Sequence, residues 1–169
     1  MSDDDLASYR GSMPRNTEDL LTWHGQAQKE EALEPELPIV DPHNHLYGSD
    51  PDAQYYRLSD LEQDLAGGHR IVGTVYVEAY GAGWRKTGPE ALRPVGEVER
   101  IVEISATPVA TRHGPCAVAA GIVARADLSL GHAVTEVLEA HAAAAQGRLR
   151  GVRHIAARDE GLVGRFIRE

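Results

Sequence analysis

Two histidines separated by one residue, His43 and His45, are the side chains whose types and spacing most directly suggest chemistry. They follow a short apolar run, residues 38–41, that is typical of a β-strand. Alternate residues of a strand point to the same side, so both imidazoles can address one point. Imidazole is a preferred ligand of Zn²⁺, and Mn²⁺ or Fe²⁺ accept similar sites. The spacing therefore predicts a metal site, and the alternative is a polar loop with two surface histidines.

Three more polar residues lie where predicted strands end. Glu78 follows an apolar strand and is a candidate catalytic carboxylate, with a plain loop carboxylate as the alternative. Arg153 has a planar guanidinium that suits a substrate carboxylate, and His154 is a second catalytic candidate. Because neighbouring residues of a strand face opposite ways, only one of Arg153 and His154 is expected to face the site.

The strands that must position these residues are predicted at four places. Each is apolar without polar alternation, as in parallel sheets buried on both faces: residues 39–42, 71–77, 117–123 and 149–155. The spacing suits the first half of a (β/α)8 TIM barrel, which allots about 31 residues to each βα unit. We therefore predict an α/β fold with four parallel strands in sequence order, joined by helical crossovers. A doubly wound open sheet is the rival, but its Gly-rich phosphate turn is missing after the first strand.

The crossover helices carry their own signals. Ser59 and Glu62 form a capping-box pattern that predicts the start of the first one. In the second, residues 95–105, apolar residues recur at helical spacing, so Glu97 and Arg100 are expected to face solvent. A third helix is predicted over residues 132–145, where His141 is also expected to be solvated.

The composition of the chain limits its possible binding partners and its expected cellular compartment. The 169 residues carry a net charge of −9, which gives no basic face for nucleic acid or for an anionic membrane. Cys116 is the only cysteine, so an intrachain disulfide and a cysteine zinc site are excluded. No apolar run suits a signal peptide or a membrane span, so a cytoplasmic protein is expected. Residues 1–37 are predicted to be an acidic leader, partly helical over 17–33 or disordered, and residues 38–169 the barrel half.

Residues 37–46, which contain the histidine pair, resemble the opening of the amidohydrolase-related family. Residues 73–79 and 149–154 resemble the second and fourth strands of that family, so the resemblance covers about residues 37–156. It implies a TIM-barrel, metal-dependent hydrolase, for example a lactonase, with His43 and His45 as metal ligands. It also implies further histidine ligands on the fifth and sixth strands. An aspartate on the last strand would activate a metal-bound water that attacks an ester or amide.

The sequence departs from the family in two ways. Binuclear members use a lysine or glutamate on the fourth strand as a bridge, whereas this chain has Arg153 and His154 there, which favours a single, weakly held ion. The chain also ends before a fifth strand, so it is expected to be inactive alone. It would then be a truncated product, a dissected piece, or a half that pairs with itself or with another chain. The leading hypothesis is a hydrolase of a small lactone or amide, and the alternative is a non-catalytic half-barrel interaction module.

Overall fold

The structure, a computed structural model, describes residues 17–26, 28, 30–47, 56–79 and 82–155. The chain divides into two units, Met1–Glu31 and Ala32–Glu169. In the first unit a helix, α1, spans Thr17–Gly25. The prediction that this helix continues to residue 33 is wrong, because the chain leaves the helix at Gly25, a residue that stabilises helix ends rather than helix interiors.

The described residues of the second unit form four parallel strands with helices between them, as the apolar segments predicted. The strands, together with one short additional strand, are β1 (Pro38–Asn44), β2 (Arg70–Val77), β3 (Val109–Thr111), β4 (Gly114–Arg125) and β5 (Leu149–Arg153). The parallel strands lie in the order β1-β2-β4-β5, so the four predicted strands are neighbours in sequence order, and the sheet they form is curled. This order confirms the parallel α/β arrangement, while its assignment as the first half of a TIM barrel stays a prediction.

The short strand β3 was not predicted. It pairs antiparallel with the start of β4, with Val109 opposite Cys116 and Thr111 opposite Gly114. Gly114 has a φ of 103°, and the Thr111 hydroxyl donates to its carbonyl oxygen at 2.7 Å. Glycine and proline next to each other at residues 114 and 115 are typical of a loop, which hid the hairpin from an analysis of apolar runs.

Three helices cross over between the parallel strands: α2 (Leu58–Leu65), α3 (Val95–Ile104) and α4 (Val134–Ala144). Two short 3₁₀ helices, Glu90–Leu92 and Leu128–Ala133, precede α3 and α4. Within the part of the chain that the structure describes, no helix combines the length and the apolar character needed to cross a membrane.

The start of α2 differs from the prediction. Ser59 and Glu62 were expected to form the capping box, but the helix begins earlier, with Arg57 as the flanking residue. The carboxylate of Asp60 accepts a hydrogen bond from the Arg57 backbone N–H at 2.7 Å. Asp60, three residues after Arg57, is therefore the residue whose side chain accepts from the backbone of the capping residue. The sequence pattern had assigned this role to Glu62.

The core lies between the sheet and the crossover helices. The predicted apolar stripe of α3, with Val98, Ile101 and Val102, packs there with Ile122 and Ala124 of β4. The prediction for α4 is wrong at one residue, since His141 is 0% exposed rather than solvated. Its Nε2 lies 2.8 Å from the carbonyl oxygen of Arg125, and its Nδ1 is buried without a hydrogen-bond partner among the described residues.

We expect His141 to make the stability of the protein depend on pH. Burial lowers the pKa of His141 below its usual value near 6.5, so the folded protein keeps the ring neutral where the unfolded chain takes up a proton. Stability is therefore retained above about pH 6.5 and falls as the pH decreases towards the lowered folded-state pKa, by up to about 1.4 kcal/mol per pH unit.

Urea unfolding of the parent and of His141→Gln at about pH 7.5 and about pH 5.5 measures this dependence. The parent should lose more stability than His141→Gln on acidification. The exposed His132 lies near the same helix, and His132→Gln serves as the control that keeps the parent's pH dependence. Equal losses in the parent and His141→Gln would contradict the assignment.

Candidate metal centre

The histidine pair lies at the carboxyl end of β1, where the structure brings the two rings together. Nε2 of His43 and Nε2 of His45 are 3.1 Å apart. Two ligands of a tetrahedral zinc ion with bonds of about 2.0–2.1 Å are about 3.3–3.4 Å from each other. The observed separation is slightly shorter and is that of a hydrogen bond between the two rings, so a small widening would let both nitrogens bind one ion.

The ring of His45 is oriented by the neighbouring strand. Its Nδ1 lies 2.8 Å from the carbonyl oxygen of Val77, the last residue of β2. A carbonyl oxygen only accepts, so Nδ1 carries the hydrogen and Nε2 of the neutral ring has the free lone pair. Metal-binding histidines are commonly held in this way by a hydrogen bond from the nitrogen that does not bind the metal.

The backbone around the pair is also fixed. The carboxylate of Asp41 accepts the backbone N–H of His43 at 3.0 Å. Between the two histidines, the Asn44 amide donates to the hydroxyl oxygen of Thr74 at 3.2 Å, and this oxygen also accepts the N–H of Ala119 at 3.0 Å. Thr74 is fully buried, so the end of β1 is attached to both β2 and β4 through one internal hydroxyl.

A cleft of about 590 Å³ lies beside the pair. Besides the histidines and Asn44, its lining combines carboxylates, tyrosines and aliphatic residues: Asp41, Asp64, Tyr47, Tyr56, Leu61, Leu65 and Ile71. The hydroxyl of Tyr56 donates to the carboxylate of Asp64. Burial, together with this bond, raises the pKa of Tyr56, so the phenol stays protonated at neutral pH. Among the residues that the structure describes, no three histidine, cysteine or acidic side chains are grouped to hold a metal ion.

Two other predicted site residues, Glu78 and Arg153, are brought together with each other. Glu78 directly follows β2 and is 1% exposed. Nε of Arg153 donates to its carboxylate at 2.7 Å, and Nη2 donates to its backbone oxygen at 2.6 Å. The guanidinium thus links the ends of β2 and β5 across β4, which gives Arg153 a partner inside the protein.

The structure places His154 apart from Arg153, as strand alternation predicted. Its Nδ1 accepts the backbone N–H of Leu128 at 3.1 Å, and its Nε2 lies 3.7 Å from the carboxylate of Asp127. Both nitrogens therefore face the start of the 3₁₀ helix after β4. These contacts favour a structural role for His154 over the predicted catalytic one.

Glu97 is 2% exposed, so the prediction that it faces solvent is wrong. Its carboxylate accepts hydrogen bonds from the Tyr76 hydroxyl at 2.7 Å, the Ala79 N–H at 2.6 Å and the Trp84 indole N–H at 3.1 Å. Burial raises the pKa of Glu97, and these three donors oppose that increase. Glu97 is thus an internal acceptor that attaches the segment after β2 to α3.

No family model, curated protein or solved structure matches this chain. The chemistry of the site is therefore inferred from its own residues and their geometry.

Proposed function

We propose that the protein is a metal-dependent hydrolase of the amidohydrolase-related type, in which His43 and His45 bind one divalent ion. Zn²⁺ is the leading candidate, with Mn²⁺ or Fe²⁺ as alternatives. The observation that carries the proposal is that the two Nε2 atoms face each other at 3.1 Å, together with the hydrogen bond to Val77 that places the lone pair of the His45 ring on Nε2, where an ion would replace the hydrogen bond between the rings. The proposed substrate class is a small cyclic ester or an amide.

The position of the pair in the fold supports the proposal. Enzymes built on parallel β/α barrels carry their catalytic residues where strands end at the carboxyl edge of the sheet. His43 and Glu78 both lie at this edge, at the ends of β1 and β2. The adjacent cleft has the volume of a small-molecule site and combines apolar walls with a few polar groups.

The proposal assigns separate roles to the ion, to the two histidines and to the residues of the cleft. A divalent ion at this position polarises a carbonyl oxygen and lowers the pKa of water. His43 and His45 would hold the ion, with the Val77 carbonyl fixing the ring of His45. Tyr47, Tyr56 and the aliphatic residues of the cleft would contact the substrate. Because the guanidinium of Arg153 already binds Glu78 at the end of β5, where binuclear relatives have a bridging ligand, one ion is proposed rather than two.

Metal titration of the purified chain tests the site. We expect one Zn²⁺ or Co²⁺ per chain, held with a dissociation constant on the order of 10–100 µM, because two imidazoles supply about half the binding energy of a four-ligand site. At about 100 times that constant, the ion should raise the free energy of unfolding by about 2.7 kcal/mol. Changing both His43 and His45 to alanine should abolish the increase, whereas His132→Ala, at an exposed position, should retain it.

A panel of lactones and amides with added Zn²⁺ or Mn²⁺ tests the reaction itself. Little turnover is expected from the chain alone, because no third ligand is grouped with the pair among the described residues. Turnover that disappears in the double variant would overturn that expectation and show that the chain is a hydrolase by itself. Stoichiometric zinc that survives in the double variant would show that other residues bind it. A chain that binds no ion at the pair would favour the alternative, a non-catalytic interaction module.

A further inference from the structure

Arg100 of α3 holds the chain immediately after the histidine pair. Its Nη1 donates to the carbonyl oxygen of Leu46 at 3.2 Å, and its Nη2 donates to that of Tyr47 at 3.1 Å. Nη1 also lies 3.5 Å from the carbonyl oxygen of Ala82, in the segment after β2. One guanidinium therefore joins three carbonyl oxygens from two separate βα connections. Arg100 is partly buried, so the prediction that its side chain faces solvent is wrong.

Close packing keeps Arg100 in this position. Gly83 has a φ of 108°, and a Cβ there would lie 2.8 Å from Cδ of Arg100. A Cβ on Gly96 would lie 2.8 Å from the backbone oxygen of Gly83 and 2.7 Å from the backbone nitrogen of Arg85. The segment after β2 thus lies directly on α3 and covers the stem of Arg100, which restricts the guanidinium to the carbonyls it binds.

We propose that Arg100 is a positioning residue for the metal-ligand pair, a role that rests on the proposed function. Leu46 directly follows His45 and is fully buried, so its backbone has little freedom once its carbonyl is bound. The Val77 carbonyl fixes the His45 ring, and Arg100 fixes the backbone from which that ring projects. The first contact holds the ring of His45, and the second holds the backbone of the residue that follows it. Without Arg100, the ring keeps its hydrogen bond but the direction of Nε2 becomes variable.

Cobalt titration of Arg100→Ala, Arg100→Gln and Ile101→Val tests this role. Arg100→Ala should weaken Co²⁺ binding by about 10–100-fold, as expected for loss of a group that orients a metal ligand. Arg100→Gln can still donate to one carbonyl and should lie between Arg100→Ala and the parent, and it carries the test if the alanine variant does not fold. Ile101→Val is the matched control, because Ile101 is a fully buried neighbour on the same helix that contacts the core rather than the carbonyls. It should lower the melting temperature and leave the cobalt affinity within about twofold of the parent, as a purely structural change would.

A second measurement needs no metal and separates this proposal from the proposed function. The Tyr47 N–H donates to the Tyr56 carbonyl oxygen at 2.9 Å, so its hydrogen exchange reports local order after His45. Arg100→Ala should accelerate this exchange and broaden the His45 ring resonances in NMR spectra, whereas Ile101→Val should do neither. If the parent binds no cobalt but these changes occur, the metal function fails and the positioning of His45 by Arg100 stands. If Arg100→Ala behaves like Ile101→Val in both measurements, the positioning role is refuted.

Discussion

Glu97→Leu is expected to lower the free energy of unfolding by about 3–5 kcal/mol, a large change for one residue of a helix. Three donors would lose this acceptor: the buried Tyr76 hydroxyl and Ala79 N–H, and the partly buried Trp84 indole N–H. Each buried donor left without an acceptor costs about 1–3 kcal/mol, and removal of the carboxylate desolvation penalty offsets part of that sum. Urea unfolding of the purified variant measures the change.

Two controls separate the buried acceptor from the helix itself. Glu97→Gln keeps a carbonyl oxygen but replaces the second acceptor with a donor, so its loss should fall between those of the leucine variant and the parent. Glu99→Leu changes the same residue type on the same helix, but Glu99 is exposed and pairs with Arg85 at the surface. Its effect should stay below about 1 kcal/mol. If Glu97→Leu were as mild as Glu99→Leu, the internal hydrogen bonds would not contribute to stability.

Helix α3 shows what the sequence predicts well and what it misses. Its apolar residues recur every three or four positions, and both the helix and its core-facing stripe were predicted to within one residue. The opposite assumption, that polar residues of an amphipathic helix face water, was wrong for Glu97 and Arg100. The spacing of apolar residues identifies the face of a helix that packs against the sheet. It does not show whether a loop covers the opposite, polar face of that helix.

A signal for that loop was present in the glycines. Gly83 has a positive φ and Gly96 lies in the first turn of α3, where a side chain would collide with the segment after β2. A glycine inside an amphipathic helix usually has a packing reason, and here it permits another backbone to approach closely. The histidine pair was predictable because its geometry depends on a single strand. Side chains two residues apart on a strand point to the same side, whatever the rest of the fold is. The Val77 carbonyl that holds the His45 ring and the Thr74 hydroxyl that holds Asn44 depend on how strands pair, which no single segment encodes.

Arg153→Ala is expected to cost about 2–4 kcal/mol, because it removes a charged partner from a carboxylate that is almost entirely buried. Glu78 is 1% exposed, whereas the Arg153 side chain is 34% exposed, so the pair lies at the boundary between interior and solvent. The two bonds from one guanidinium also join the ends of β2 and β5, strands whose residues here are 75 positions apart. Arg150→Ala is the matched control, since Arg150 lies on the same strand and is exposed. Among the described residues it donates to two nearby carbonyl oxygens, those of Gly147 and Leu149. Its effect should be below about 1 kcal/mol.

A double-mutant cycle decides between the structural role of Arg153 and the substrate-binding role predicted from its position. Urea unfolding of Arg153→Ala, Glu78→Gln and the double variant yields the coupling energy between the two side chains. A coupling of about 1–3 kcal/mol is expected, because removing Arg153 matters less once Glu78 has lost its charge. Additive losses would show that the pair contributes little and that the guanidinium is available to a substrate carboxylate. With strong coupling, a substrate that recruits Arg153 must first displace a buried charge, and recognition at this edge of the sheet then depends on groups other than Arg153.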